Sequence, residues 1–391
     1  MFYADLHLHS PYSRATSPRL SLESMSAEAE KKGISLLGTA DFLHPKWREE
    51  LSRLEYDGSF YTLPGHMTLF VPSVEISLIY KQSGRVRKVH VVILSPDLET
   101  ADQLREYFMS LGRVDYDGRP IFGASLPEVT EAVMEISSKN EIIPAHIWTP
   151  WFSLFGANSG FDSIKEAFGN QLRHIHALET GLSSDPPMNR IVSQLDSFFL
   201  VSNSDAHSPE KIGRELTAFD WKKPSYKNLL KSLRTGDGLW GTIEVDPGFG
   251  KYHFDGHRKC GVSVDPSKGI EKCPVCGKPL TKGVLHRVLE LADRKEPKFR
   301  KKYITILPLQ DIVASALQTS PMSMRAKKAL AKLREIGTDM HIMLEAPEDE
   351  IRKAFPEGAG LIMKNREGRI RVKPGYDGEY GKIEEGTLLS F

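Results

Sequence analysis

The 391-residue chain has only three cysteines, all between positions 260 and 276. So few, so close together, exclude the disulfide framework of a secreted scaffold and point to one metal-binding cluster. No apolar run reaches the roughly 18 residues that a membrane span requires. A secretory leader is not expected, because Asp5, His7 and His9 interrupt the first apolar residues. No repeat of about 20–50 residues stands out. Net charge is almost absent too, at +1. What is there, 40% hydrophobic and 26% charged residues, is the composition of a globular protein. A cytoplasmic location, beside the nucleoid in a bacterium, is the expectation, with two or three domains.

The small net charge hides a split. Residues 1–240 sum to −5 and residues 241–391 to +6, and nine of the 13 histidines precede position 240. Positions 278–334 alone carry 14 Lys/Arg against 4 Asp/Glu. Either this is a solvated helix face, or a metal-dependent site sits beside a surface for phosphate backbones.

The first 240 residues alternate strand-like and helix-like stretches, from "FYADLHLH" and "SLESMSAEAEKKG" to "FFLVSNSD" and "SYKNLLKSLRTG". "LFVPSVEISLIY" and "RKVHVVIL" form a hairpin around "KQSGR", and "MNRIVSQLD" reads as a helix. About seven strands in such units predict an irregular α/β barrel over 1–240. A Gly-, Pro- and charge-rich module follows over 241–282. A basic, mainly helical domain covers 283–391 and ends in a hairpin within "GLIMKNREGRIRVKPGYDGEYG".

Placed on those strands, the polar residues converge. His7 and His9 share a face of the first strand, since side chains repeat every second residue. Asp41 ends the second strand and Glu75 lies in the third. His90 starts the fourth, His146 ends the fifth, Glu179 is in the sixth, and Asp205 with His207 ends the last. Strand ends of an α/β barrel meet at one mouth, where active sites are built. Mixed imidazole and carboxylate donors suit Zn²⁺, Mn²⁺ or Fe²⁺ more than Mg²⁺. Ions bridged by carboxylates activate a water and clamp a phosphate.

"DLHLHS" and "SNSDAHS", with "VPSVEIS", "HVVILS" and "PAHIW" between them, resemble the motifs of the PHP phosphoesterases. The resemblance covers 1–240. It implies a distorted (β/α)7 barrel holding two or three divalent ions on His7, His9, Asp41, Glu75, His90, His146, Asp205 and His207. The second motif departs from the usual T-D-H or T-D-N. Here it is "TADFLHP", where Phe42 cannot bind a metal and His44 is the substitute.

A second metal site is written in "HRKC" and "CPVC". His257 and Cys260, then Cys273 and Cys276, are pairs with the two-residue spacing of a knuckle around tetrahedral Zn²⁺. His253 and His286 remain alternatives for the histidine. Four protein ligands would make this zinc structural.

Three features favour DNA over a small phosphomonoester, the competing substrate class. The zinc module and basic helices are surplus to a metabolite phosphatase. "WTPWFSLFG" puts Trp148, Trp151, Phe152 and Phe155 beside His146, where aromatics stack on bases. Tyr376 and Tyr380 lie on Gly-rich turns near Arg369, Arg371 and Lys373. Along nearly the whole chain, "AHIWTPWFSLFG", "HRKC…CPVCGKPL", "GVLHRVLELADR" and "PGYDGEYG" resemble the endonuclease Q family. That resemblance implies metal-dependent cutting 5′ to uracil, hypoxanthine, xanthine or an abasic site, leaving 3′-hydroxyl and 5′-phosphate ends. The ending "LLSF" is similar to sliding-clamp docking motifs, with Leu388, Leu389 and Phe391 as anchors.

Overall fold

The computed structural model describes residues 1–384, so the clamp anchors Leu388, Leu389 and Phe391 lie outside the described residues. Strands β1 (Phe2–Asp5), β2 (Leu36–Gly38) and β3 (Leu69–Val71) run parallel. After Pro72 the chain continues into β4 (Ser73–Gln82) and turns back into β5 (Arg85–Leu94). Ser83 and Gly84 make that turn with φ of 51° and 73°, the left-handed pair that matches the twist of a hairpin. β5 pairs antiparallel with β6 (Glu141–Pro144), and a parallel bridge between Ile142 and Ile175 leads to β7 (Ala177–Glu179). β7 runs parallel to β8 (Phe199–Val201). A parallel bridge between Leu8 and Ala206 closes the ring, and the Asn203 Oδ1 accepts the Leu6 N–H at 2.8 Å. The result is the expected distorted seven-strand barrel, with β5 reversed.

Alternation sorts the side chains. Val92 and Leu94 join Ala4, Leu36, Val71 and Val201 in one buried cluster, while Val91 and Ile93 join Leu37, Phe70 and Leu200 in the other. Helices cover the barrel and start where the sequence supplies caps. Ser21 and Ser24 box the start of Leu22–Lys32, and Ser125 and Glu128 that of Leu126–Ile136. The stretch "MNRIVSQLD" departs from expectation. Only Pro186–Asn189 is α-helical, followed by the 3₁₀ turn Ser193–Leu195. Arg190 is buried and donates to the carbonyls of Leu195 (2.7 Å) and Phe198 (2.9 Å). It thus ties down the chain that a longer helix would have used.

From the edge of β1 the sheet extends through β9 (Leu216–Phe219), β10 (Leu239–Glu244) and β11 (Lys302–Thr305). β11 leads to the C-terminal helices Leu309–Ala316, Met324–Leu333, Asp339–Leu344, Glu348–Ala354 and Ala359–Arg366. "GLIMKNR" is therefore helix rather than hairpin, with Leu361 and Ile362 fully buried. The hairpin forms later, between Val372–Lys373 and Lys382–Ile383. Its turn folds back on the entry to the zinc module: Phe254 N donates to Gly375 O at 3.0 Å and Arg258 N to Asp377 Oδ2 at 2.6 Å. Tyr376 packs over Gly256 as part of this seat and is half-buried there. Tyr380 stays exposed, 4.6 Å from Lys251 Nζ. Among the described residues no helix is long and apolar enough to cross a membrane.

Candidate metal centre

The expected donors meet, though mostly past the strand ends. β1 stops at Asp5, and an extended continuation carries His7 and His9 inward. Asp41, His146 and Asp205 each sit beyond their strands with positive φ (36°, 29° and 48°). Strained backbone of this kind persists where surrounding contacts over-determine it, and it concentrates at functional sites. His90 does not start its strand, since β5 begins at Arg85 and His90 lies mid-strand opposite Ser77. The reversed hairpin is what brings Glu75 and His90 together.

Two donor groups result. His7, His9, Glu75 and Asp205 form one, Glu75, His90 and His146 the other, with ligand atoms within 4.8 Å of each other in each. Glu75 belongs to both. Its Oε1 lies 2.7 Å from His90 Nδ1 and 3.1 Å from His146 Nε2, while its Oε2 lies 3.2 Å from His9 Nε2. Glu75 would thus offer one carboxylate oxygen to each group were both to hold a metal.

Further carboxylates orient the imidazoles. His7 Nδ1 donates to Glu179 at 3.0 Å, which leaves His7 Nε2 buried and without a hydrogen-bond partner. A lone pair directed into a pocket of carboxylates fits a cation. Glu179 also accepts the His146 N–H (2.8 Å) and Asn203 Nδ2 (2.8 Å). His9 Nδ1 lies 3.3 Å from Asp41 Oδ1, whose second oxygen accepts Ser10 N and Ser13 Oγ. Asp41 and Glu179 are thus outside both groups, in contact with their histidines. His207 is also outside them. Its Nδ1 lies 2.9 Å from the Asp205 carbonyl, and its ring 4.6 Å from that of His9. His44 does not enter the cluster, because its ring stacks on Tyr12 at 4.4 Å.

The charges are strongly coupled without ions. Burial opposes a charge on His7, but Glu179 and Glu75 overcome it and raise its pKa well above the usual imidazole value. Burial dominates at His90 and pushes it down to about 4. Burial would raise Glu75, but His90, Arg119 and His7 hold it well below the carboxylate range. Such a site is built for positive charge, and the mixed donor set fits divalent ions.

Sequence reasoning missed Arg119 and Asn203. Arg119 Nη1 donates to Glu75 Oε2 at 3.0 Å, with the side chain 23% exposed at the mouth. Its loop can lie there because Gly118 has no Cβ, which would stand 2.2 Å from Asp41 Oδ2. A lone arginine in "DYDGRP" carries no signal of this. Asn203 was within the quoted "SNSDAHS".

Two of the four aromatics near His146 are core. Trp148 and Phe155 are fully buried and stacked at 4.9 Å, with Trp148 Nε1 bound to Asn189 Oδ1, so neither reaches a base. Phe152 packs against His90 at 4.9 Å, and Trp151 is 43% exposed.

In the zinc module, His257, Cys260, Cys273 and Cys276 converge. Burial would raise the Cys273 thiol, but the N–H groups of Cys276 and Val275 lower it to about 6, as a thiolate ligand requires. His286 is committed to Asp255 at 2.6 Å and His253 stacks on Phe254, so neither is the fourth member.

Barrel and donor groups together define a metal-binding enzyme of the PHP class. A family model described as PHP-associated matches residues 199–237. The chain is 32% identical over 407 residues to the uncharacterized protein YqxK of Bacillus subtilis (strain 168), covering 98% of this chain and 99% of that one. It is also similar to the solved structure of the lesion-specific endonuclease PfuEndoQ from Pyrococcus furiosus. That match has a TM-score of 0.88 and 31% identity over 100% of this chain and 97% of the other. A structure of Endonuclease Q with a 27-mer duplex substrate carrying an abasic lesion at the active site matches at TM-score 0.88 and 30% identity, covering 100% and 98%. The chain belongs to the endonuclease Q family.

Proposed function

We propose that the protein is a metal-dependent DNA-repair endonuclease that cuts 5′ to a deaminated base or an abasic site. The observation that carries this reading is the full-length likeness to an enzyme solved with an abasic duplex at its active site. A cytoplasmic location follows from that role. Two or three divalent ions (Zn, Mn, Fe or Mg) belong on His7, His9, Glu75, His90, His146 and Asp205. Asp41 and Glu179 position His9 and His7, and His207 approaches from the mouth. When bound, such ions activate water and neutralise a phosphodiester. One structural zinc belongs on His257, Cys260, Cys273 and Cys276.

The chain's own groups supply the remainder. Arg119 presents a guanidinium beside Glu75, where the scissile phosphate must lie, and compensates its charge. Trp151 offers an exposed ring for a neighbouring base. A cavity of about 670 Å³ beside the mouth, lined by Leu182, Arg214, Phe249, Pro308 and Tyr380, is the recess for a nucleotide turned out of the stack. Arg214 forms its wall and donates to the carbonyls of Ser204 (2.8 Å) and Asp205 (3.3 Å), coupling recess to site.

The test is end-labelled duplex DNA with one uracil, hypoxanthine or abasic site, incubated with Mg²⁺, Mn²⁺ or Zn²⁺ and read on a sequencing gel. One cut 5′ of the lesion is expected, absent from undamaged duplex and from Asp205→Ala. Turnover of a small phosphomonoester with no lesion-dependent cut would replace this reading with the phosphatase one.

A further inference from the structure

The end of the barrel opposite the metal donors carries a second organised surface. Between the helix Val284–Leu291 and β11, residues 293–302 cross beneath the barrel. Arg294 pairs with Asp196, and Arg300 Nη1 donates to the Asp196 carbonyl at 2.9 Å with its guanidinium 4.1 Å over Phe199. Lys301 Nζ donates to the Gly236 carbonyl at 2.6 Å, and Lys302 Nζ lies 6.0 Å over Trp240. Phe199 begins β8, whereas Asp205 lies six residues on at the metal end. At no more than about 3.3 Å per residue the two lie at most roughly 20 Å apart along the chain.

This surface is not a brush of solvated lysines. A groove of about 620 Å³ runs along Trp240, Phe299, Arg300, Lys301 and Lys302. Phe299 is 46% exposed and stacked on Tyr303 at 5.4 Å. Lys302 lines it and Lys298 precedes Phe299, both exposed, while the exposed Lys222 and Lys223 follow Asp220 of its lining by two and three residues. Among the described residues none of the four has a carboxylate within ion-pair distance. Asp220 and Asp237 also line the groove, but Asp237 is taken by Lys231. Anchored cations beside an exposed aromatic ring are what a single nucleic-acid strand needs, with its phosphates on the charges and a base on the ring. An acidic protein would use the charges but not the phenyl platform.

We infer that this face is a second nucleic-acid site, taking single-stranded DNA independently of the mouth. The inference does not depend on the cleavage chemistry, because its readout is binding. Fluorescent oligo-dT of about 20 nucleotides is titrated by anisotropy into wild type, Lys298→Glu/Lys302→Glu and Phe299→Ala. At least tenfold weaker binding is expected for the double variant. About fivefold is expected for Phe299→Ala. A short abasic duplex should fail to displace the oligo-dT, and the variants should cut that duplex within twofold of wild type. Four engaged phosphates predict a log–log salt slope near about −3, shallower in the double variant. Lys222→Glu/Lys223→Glu, on a separate exposed turn, serves as a second variant should the first melt early. Unchanged oligo-dT affinity in both charge variants overturns the inference. So does displacement by the short duplex, or displacement by poly-glutamate as effective as that by DNA.

Discussion

Replacing Gly181 by alanine tests whether the metal donors are held as tightly as the geometry implies. Gly181 has φ +62°, and a Cβ there would lie 2.6 Å from His146 Cβ and 3.0 Å from its Cα. Carbons at rest sit about 3.5–4.0 Å apart, so roughly 1 Å of movement is required. His146 cannot easily yield. Its N–H is held by Glu179 at 2.8 Å, its Nε2 stands 3.1 Å from Glu75, and its own φ is already left-handed. Overpacking costs about 1–3 kcal/mol and left-handed alanine about 1 more, together about 2–4 kcal/mol. A displacement of this size at a reacting centre costs about 100-fold in rate. Gly269→Ala is the control, because Gly269 has φ +63° with nothing within 4 Å, and isolates the backbone cost. The assay is single-turnover cutting of an abasic duplex beside thermal unfolding. If Gly181→Ala melts like Gly269→Ala and cuts within threefold of wild type, the rigidity argument fails.

Other expectations follow from individual contacts. Glu179→Ala removes the acceptor of His7 Nδ1. It should weaken metal binding about 10–100-fold by calorimetry, and an unchanged affinity would remove Glu179 from that role. Cys273→Ser should lower zinc by one ion per chain, measured by mass spectrometry, and detach the module to protease; intact zinc content would contradict the knuckle. Arg119→Ala should slow cutting far more than it weakens duplex binding, with Arg119→Lys recovering part of the rate; equal losses in both would make it a binding residue only. Glu215 is fully buried, and burial pushes its carboxyl up to about 8 from 4.5. The folded chain therefore keeps a proton that the unfolded chain loses. Stability is fully present below about pH 4.5 and falls as pH rises through 8, by up to about 5 kcal/mol. Glu215→Gln should lessen the fall of the melting temperature between pH 5 and 9, the rest belonging to its neighbour Glu244, which burial also raises. Parallel wild-type and variant curves would show that this carboxyl does not titrate with folding.

The donor residues were readable because their types and the period of the strands sufficed. His7, His9 and Asp205 needed only the rule that strand ends converge, while Glu75, inside its strand, needed the hairpin with its neighbour. Their partners were not readable, because Arg119 reaches Glu75 from a loop 44 positions away and only a glycine beside it lets the loop descend. Aromatics misled for a related reason. "WTPWFSLFG" looks like an open loop, yet Trp148 hydrogen-bonds Asn189 in the core while Trp151 three residues on is exposed. Burial there depends on what packs over the loop, which no local pattern records. The helix expected at "MNRIVSQLD" failed likewise, to a guanidinium that no periodicity announces.

The hairpin turn that folds back on residues 248–258 has a consequence for synthesis. All four knuckle residues lie within 257–276, so the set is complete as soon as that stretch leaves the ribosome. Its seat needs Gly375, Asp377 and Gly381, whose backbone and side-chain bonds reach Phe254, Arg258 and Phe249, and these arrive about a hundred residues later. At about 5–20 residues per second the delay is roughly 5–20 s. During that interval a nascent chain carries the cysteine module without its berth.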